Sequence, residues 1–263
     1  MNEPILTKLY KNIEVKFFPE SHICYINGER KTGVTTLIGI KDKSRPLIIW
    51  AVGLFRDYLY EKLGEGINEA HIEEGSKLHS VRKQEAATIG DEAHKWINKY
   101  IRGEKPEMPD NEAVIIAINA FLDWTKEHSI KFISSERIVY SKKHDYFGIL
   151  DIEAMVDDKL CLVDIKTSND LRNDIRMQTA AYVMADQEES KKKYAGRWAV
   201  RLAKETEDEF NSRMGKKGKT GIYRSFEVMF LDDHKLNLID DFEAFLSCFT
   251  LYRCNRATEF YKP

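Results

Sequence analysis

Apolar and polar positions alternate with a period of two over residues 13–18 and 22–26, which predicts two short strands joined at Pro19-Glu20-Ser21. Asn27-Gly28 supplies a tight turn, and residues 32–40 read as a third short strand. The period then lengthens. Ser44-Arg45-Pro46 is a helix start, with proline in the first turn where its missing N–H is not needed. That helix is expected to reach about residue 63 and to stop at Gly64 or Gly66. Residues 67–101 read as largely helical, with a break near Gly75 or Gly90 and an end at Gly103. A turn region at 105–110 precedes an amphipathic helix over 111–128. Alternation then returns: 131–140, 148–156 and 160–166 read as three successive strands, 171–186 as a helix, 194–202 and 222–230 as strands separated by a long polar segment, and 233–256 as a closing helix.

This order predicts an α/β chain of the mixed α+β kind, with a central mixed β-sheet flanked by helices. No repeat, low-complexity segment or linker divides it. Residues 1–263 read as one domain, with 1–128 mostly helical around a small β-hairpin and 129–263 carrying the main sheet and its helices.

The strands at 148–156 and 160–166 carry the candidate chemistry. Asp157-Asp158 is the natural turn between them. An even loop centred there pairs positions that sum to 315, placing Asp151 opposite Asp164 with Cβ atoms roughly 5 Å apart. Lys166, two residues on, shares their face. The other face shows Leu150, Ile152, Ala154 and Val156 from one strand and Cys161, Val163 and Ile165 from the other, all apolar or small. Two like charges opposed in a sheet repel, and a hard divalent cation such as Mg²⁺ or Mn²⁺ is the simplest offset. Such an ion polarises a phosphate and acidifies a bound water, while Lys166 can orient that water or neutralise developing charge. Glu153 faces the same side and is expected at the periphery.

Composition narrows the setting. With 43% hydrophobic residues in 263, the chain can bury a substantial core. The longest apolar run, at 46–55, falls well short of the ~20 residues that span a bilayer. Glu3 and the lack of an apolar signal core argue against secretion. A cytoplasmic protein without a membrane partner is expected. Cys24, Cys161, Cys248 and Cys254 are widely spread and read as reduced thiols. The net charge of −2 does not itself point to nucleic acid, so local patches matter more. Residues 213–224 hold Arg213, Lys216, Lys217, Lys219 and Arg224 with three glycines and no acid, and read as a mobile loop that can close on a phosphate backbone. Lys43 and Arg45, at a helix N-terminus, form a further candidate phosphate seat.

Gly148-Ile-Leu-Asp151 followed by Asp164-Ile-Lys-Thr167 resembles the motif pair of the PD-(D/E)XK nuclease superfamily, in its RecB-like and phage-exonuclease branch. Leu150 stands where the superfamily name has proline. The resemblance implies a restriction-endonuclease-like core in which Asp151, Asp164 and the backbone carbonyl of Ile165 hold the metal and Lys166 is catalytic. Gln178-Thr-Ala-Ala-Tyr182 is similar to the branch's Q-x-x-x-Y element, whose i, i+4 face lines the site and contacts DNA. Gly90-Asp-Glu-Ala-His94 resembles an upstream helix whose histidine adds a ligand, and Glu136 matches an acid that precedes the first aspartate. Some relatives bind an iron–sulfur cluster through C-x-x-C-x₅-C near the C-terminus. Here Phe245 replaces the first of these thiolates and only Cys248 and Cys254 are left, which argues against a cluster. The implied function is a Mg²⁺- or Mn²⁺-dependent DNA exonuclease of a bacterial or phage-infected cytoplasm, with a recombination or replication protein as partner. The alternatives are a structure-specific or single-strand endonuclease, a catalytically silent DNA-binding module, and action on RNA.

Overall fold

The computed structural model describes residues 3–216, 218–232 and 237–259, with side chains to residue 256. Four strands open the chain: β1 (Ile5–Leu9), β2 (Ile13–Phe18), β3 (Ile23–Ile26) and β4 (Glu29–Gly33). Asn27 and Gly28 both take positive φ at the β3–β4 turn, as the sequence predicts. Residues 32–40 do not form a strand beyond Gly33. Val34–Ile38 is a short helix, α1, that buries Val34, Leu37 and Ile38 at helical spacing. Packing of those three side chains on the sheet outweighs local strand preference.

Helix α2 (Ser44–Lys62) ends where expected. Helix α3 (Glu69–Ile101) runs unbroken through Gly75 and Gly90. Its start is capped by Asn68, whose side chain accepts the His71 N–H at 3.1 Å. Asn111 caps α4 (Glu112–Glu127) in the same way through Ala113 N–H at 3.0 Å. The strands β5 (Ile130–Ser141), β6 (Tyr146–Val156) and β7 (Lys159–Lys166) follow, then helix α5 (Asp174–Ser190) and strand β8 (Gly196–Leu202). The expected polar loop before the last strand, β9 (Phe226–Phe230), contains instead a helix, α6 (Glu207–Lys216). Thr206 and Glu209 form a reciprocal capping box at its start, a signal that Thr206-Glu-Asp-Glu209 carries in the sequence. Helix α7 (Leu238–Glu259) completes the described fold.

All nine strands belong to one mixed sheet in the order β1-β2-β3-β4-β6-β7-β8-β9, with β5 pairing β6. The N-terminal strands are therefore continuous with the main sheet rather than a separate hairpin, through parallel pairing of β4 with the start of β6. Helices α3 and α4 cover one face, burying Ile97, Phe121 and Trp124 against Ile152, Val163 and Ile165. Helices α1, α5 and α7 cover the other, where Leu37, Ala181 and Phe245 meet Leu150 and Leu162. Phe245 thus fills apolar core, its ring 4.8 Å from that of Tyr146. Strands β1 to β3 pack on Ile138, Tyr140 and Phe147 as a third cluster.

Charges buried beneath the helices are paired. Arg197, 1% exposed, binds Asp232 at 2.7 Å and Asp241 at 2.6 Å, tying β8 to α7. Glu153, also 1% exposed, meets Ser134, Arg137 and Lys192. It therefore belongs to a structural network and not to the periphery of a metal site. In the same network Asp186 takes Arg137 at 2.7 Å and the Tyr194 hydroxyl at 2.7 Å. Burial raises the Asp186 carboxyl, but those two partners outweigh it and hold the group below the ordinary carboxylate range. A depressed carboxyl contributes stability above its unfolded pKa of about 4 and loses it as pH falls through the folded value. Asp186→Asn is therefore expected to lose about 3 kcal/mol at pH 7 by urea unfolding and to show a shallower further loss in acid than the parent chain.

Candidate functional site

The site forms where two strands part. β6 and β7 keep the predicted register, from Val156 opposite Lys159 to Ile152 opposite Val163. There the ladder stops. β7 continues in parallel pairing with β8, Asp164 beside Ala199 and Lys166 beside Arg201, while the beginning of β6 turns to β4. Asp151 stands in the fork. Its Oδ2 accepts the Ile165 N–H at 2.9 Å, satisfying a backbone donor that the parting strands leave without a ladder partner.

Asp151 is also where β6 changes face. Glu136 lies opposite it, between the pairs Ser135–Ile152 and Arg137–Leu150, with a φ of 49°. A side chain in this left-handed region costs on the order of 1–2 kcal/mol and shifts the alternation of the strand. Opposite this position, Leu150 packs on the α5 side while Ile152, Ala154 and Val156 pack on the α3–α4 side. The expectation of one apolar face from Leu150 to Val156 is corrected accordingly. All seven of those apolar side chains are buried, but on two faces. The acid face is not open either: Asp164 and Glu153 are covered by helix α5 and its surroundings.

Helix α3 brings His94 to the fork. Its Nδ1 lies 3.7 Å from Glu136 Oε1 and 4.0 Å from Asp151 Oδ2. Ligand atoms of His94, Glu136 and Asp151 all lie within 4.8 Å of one another, at a small cleft that Asn98, Ser135 and Ile165 also line. Asp164 is not part of this close trio. Lys166 connects it, its ammonium in an ion pair with Asp164 Oδ2 and 4.0 Å from Asp151 Oδ2. The two aspartates thus flank a lysine rather than facing each other directly.

The electrostatics are unusual for a folded interior. Asp164 is 0% exposed, with the Lys166 ammonium on its Oδ2 and no donor on its Oδ1. Burial pushes its carboxyl up to about 7, with Asp151 adding and Lys166 and His94 opposing. Burial lowers His94 and Lys166, but the surrounding carboxylates outweigh it and hold both above their ordinary values. Three carboxylates, one of them with no donor on its Oδ1, and an imidazole form a donor set that a hard divalent cation fits.

Helix α5 closes the α5 side of the site. Tyr182 is buried, with its hydroxyl accepting a hydrogen bond from Gln178 Nε2 at 2.8 Å. Burial, and then the charge of Asp164, hold the phenol well above its ordinary pKa. Its ring lies on Gly148, where any Cβ would overlap it. Gln178 and Tyr182 share a face of α5, as their spacing predicts, and Tyr182 feels the charge of Asp164.

The predicted cations are arranged differently. Arg45 is exposed in the first turn of α2, but Lys43 is held by Asp174 at 2.7 Å, so that phosphate seat is already half occupied by an acid. Arg213 is bound by Glu205 at 2.5 Å and lies over the Phe210 ring, inside α6 and not in a mobile loop. Lys216 ends α6 and Lys219 follows it, both exposed, and Lys217 lies outside the described residues. Among the described residues, the ion pairs of the acidic group come from His94 and Lys166 alone.

Two contacts escaped the sequence reading. Asn98, one turn beyond His94 on the same face, bonds Ser135 and ties α3 to β5; its i, i+4 spacing was the available signal. Thr167 approaches Gly90, where a Cβ would lie 3.1 Å from its hydroxyl, which explains a glycine one turn before His94.

No protein-family model and no curated protein matches this chain.

Because the Asp164 carboxyl is raised, it binds a proton in the folded chain at pH values where the unfolded chain has lost it. Stability in a chelating buffer is expected to grow as pH falls from about 7 towards 4. Between pH 7.5 and 5.5 the parent chain is expected to gain about 2 kcal/mol more than Asp164→Asn, as measured by urea unfolding in excess chelator.

Proposed function

We propose that this chain is a divalent-metal-dependent deoxyribonuclease, an exonuclease similar to the RecB-like and phage branch of the PD-(D/E)XK superfamily. The observation that carries the reading is Asp164. The other wholly or nearly buried acids, Glu153, Asp186 and Asp241, each have two or more partners, whereas among the described residues Asp164 is paired with Lys166 alone, at the edge of a His–Glu–Asp group. A buried carboxylate left in this state is costly unless a ligand completes it.

Asp151, Asp164 and the main chain of Ile165 would hold Mg²⁺ or Mn²⁺, with His94 and Glu136 as further ligands. When bound, such an ion polarises a phosphodiester and lowers the pKa of a coordinated water. The chain's own contribution is positional. Lys166, kept charged by two carboxylates, presents an ammonium to a phosphate oxygen and neutralises charge that develops there. Asp151 fixes the Ile165 peptide through its N–H. Gln178 and Tyr182 orient each other, and Tyr182 lies near enough to feel the charge of Asp164, where a nucleotide would pass. Arg45, Lys216 and Lys219, exposed, are available to the phosphate backbone, which would make affinity depend on salt. DNA rather than RNA, attack from an end, a cytoplasmic setting and a recombination or replication partner are proposals that rest on the motif resemblance.

End-labelled single- and double-stranded DNA incubated with Mg²⁺ or Mn²⁺ tests this. Nucleotides are expected to be released from an end, closed circular DNA to persist, and chelation to stop the reaction. Asp164→Asn and Lys166→Ala are each expected to lose about a thousandfold or more in rate with the far-ultraviolet spectrum unchanged. His94→Ala is expected to weaken Mn²⁺ binding roughly 10- to 100-fold by calorimetry. Full activity in both Asp164→Asn and Lys166→Ala would reject the mechanism, and cutting of closed circles would replace the exonuclease with an endonuclease.

A further inference from the structure

We propose that the hairpin of α2 and α3 is a self-association arm: two copies of the chain pair arm to arm, antiparallel, into a four-helix bundle. Between residues 44 and 92 the only buried residue is Gly75. Helix α2 has no buried residue along its whole length. Yet this stretch is not polar. Ile48, Ile49 and Val52 are 60%, 64% and 60% exposed, and Leu47, Trp50 and Ile72 are exposed as well. Single apolar residues at a surface need no explanation, but a contiguous set along two helices marks an interaction surface.

The hairpin closes on one side only. Gly75 lets α3 approach α2, since a Cβ there would stand 2.8 Å from the Phe55 ring and 2.9 Å from the Tyr58 ring. The Tyr58 hydroxyl then donates to Glu74 at 2.6 Å. Helices gain most of their stability from packing an apolar face. Here the remaining apolar faces have nothing among the described residues to pack on, and α2 rests principally on α3.

Charge selects the occupant. The outer half of the arm carries Asp57, Glu61, Glu65, Glu69, Glu73 and Glu74 against Arg56 and Lys62, which disfavours a nucleic acid along it. The half nearer the sheet, up to residue 92, carries Arg45, Lys77, Arg82 and Lys83 against Glu85, Asp91 and Glu92, a smaller surplus of the opposite sign. The arm is therefore complementary to itself when reversed. A two-fold axis across its middle lays each acidic tip on the other copy's basic base and covers both apolar faces at once. The stretch of α3 involved, about 20 residues, is roughly 30 Å long, enough for several layers of such a bundle.

Pairing does not depend on the nuclease reading, and its test has no catalytic readout. Sedimentation equilibrium of the full chain, from about 1 to about 100 µM, is expected to show twice the 30.6 kDa chain mass. Ile48→Glu with Val52→Glu should return the single-chain mass with helicity unchanged by circular dichroism. Reversing the tip (Glu69→Lys with Glu73→Lys) or the base (Arg82→Glu with Lys83→Glu) should each weaken dimerisation at least tenfold. An equimolar mixture of the two reversed chains should dimerise again. A single-chain mass at every concentration overturns the proposal, and so does a dimer indifferent to the apolar substitutions. Charge-reversed chains that fail to recover on mixing overturn the antiparallel arrangement.

Discussion

The divergence of β6 and β7 is the constraint from which the rest of the site follows. A two-stranded ladder satisfies its own backbone groups, and a ladder that ends inside a protein leaves donors behind. Asp151 resolves this by accepting the Ile165 N–H, so the first acid of the site is also the piece of structure that holds the fork open. Its position fixes the Ile165 peptide beside Asp164 and Lys166 on β7, and the opposite residue, Glu136, takes a backbone conformation that side chains rarely adopt. The strain and the chemistry occupy the same place, as is common where a scaffold holds reactive groups.

The interior shows two treatments of buried charge. Beneath α5 and α7, arginines and carboxylates complete one another: Arg197 with Asp232 and Asp241, Arg137 with Asp186 and Glu153. These networks orient the helices on the sheet. At the fork the accounts are left open. Asp164 has one lysine ammonium on its Oδ2 and no donor on its Oδ1, in a region of low dielectric where such a deficit is felt most. A buried carboxylate whose partner among the described residues is a single lysine, beside three further ligating groups, has a local reason to bind something positive there.

Much of this was legible in the sequence, because short-range rules govern it. The Asp157-Asp158 turn fixed the β6–β7 register, and with it the neighbourhood of Asp151, Asp164 and Lys166. The i, i+4 spacing of Gln178 and Tyr182 placed both on one face of α5. What the sequence hid depends on long-range packing. The β-branched run after Gly33 became helix because the core takes Val34, Leu37 and Ile38 at helical spacing. The glycines of α3 read as breaks but are points of close approach, to Phe55 and Tyr58 in one case and to Thr167 in the other. The face change at Leu150, and the left-handed Glu136 opposite the turning point, are announced by no periodicity. Arg213 looked like a free cation until Glu205, eight residues away, came round beside it on the approach to α6.

Helix α3 has a further mechanical consequence. It is a bar of 33 residues, roughly 50 Å long, with no proline to bend it. Ala93 and Ile97, buried in the core, clamp one end, and His94 sits between them. Movement of the free end turns the bar about that clamp, so a swing of several ångströms at the tip shifts the imidazole by only a small fraction of that distance. A long lever with its working part at the fulcrum isolates the reacting groups from whatever the outer end encounters.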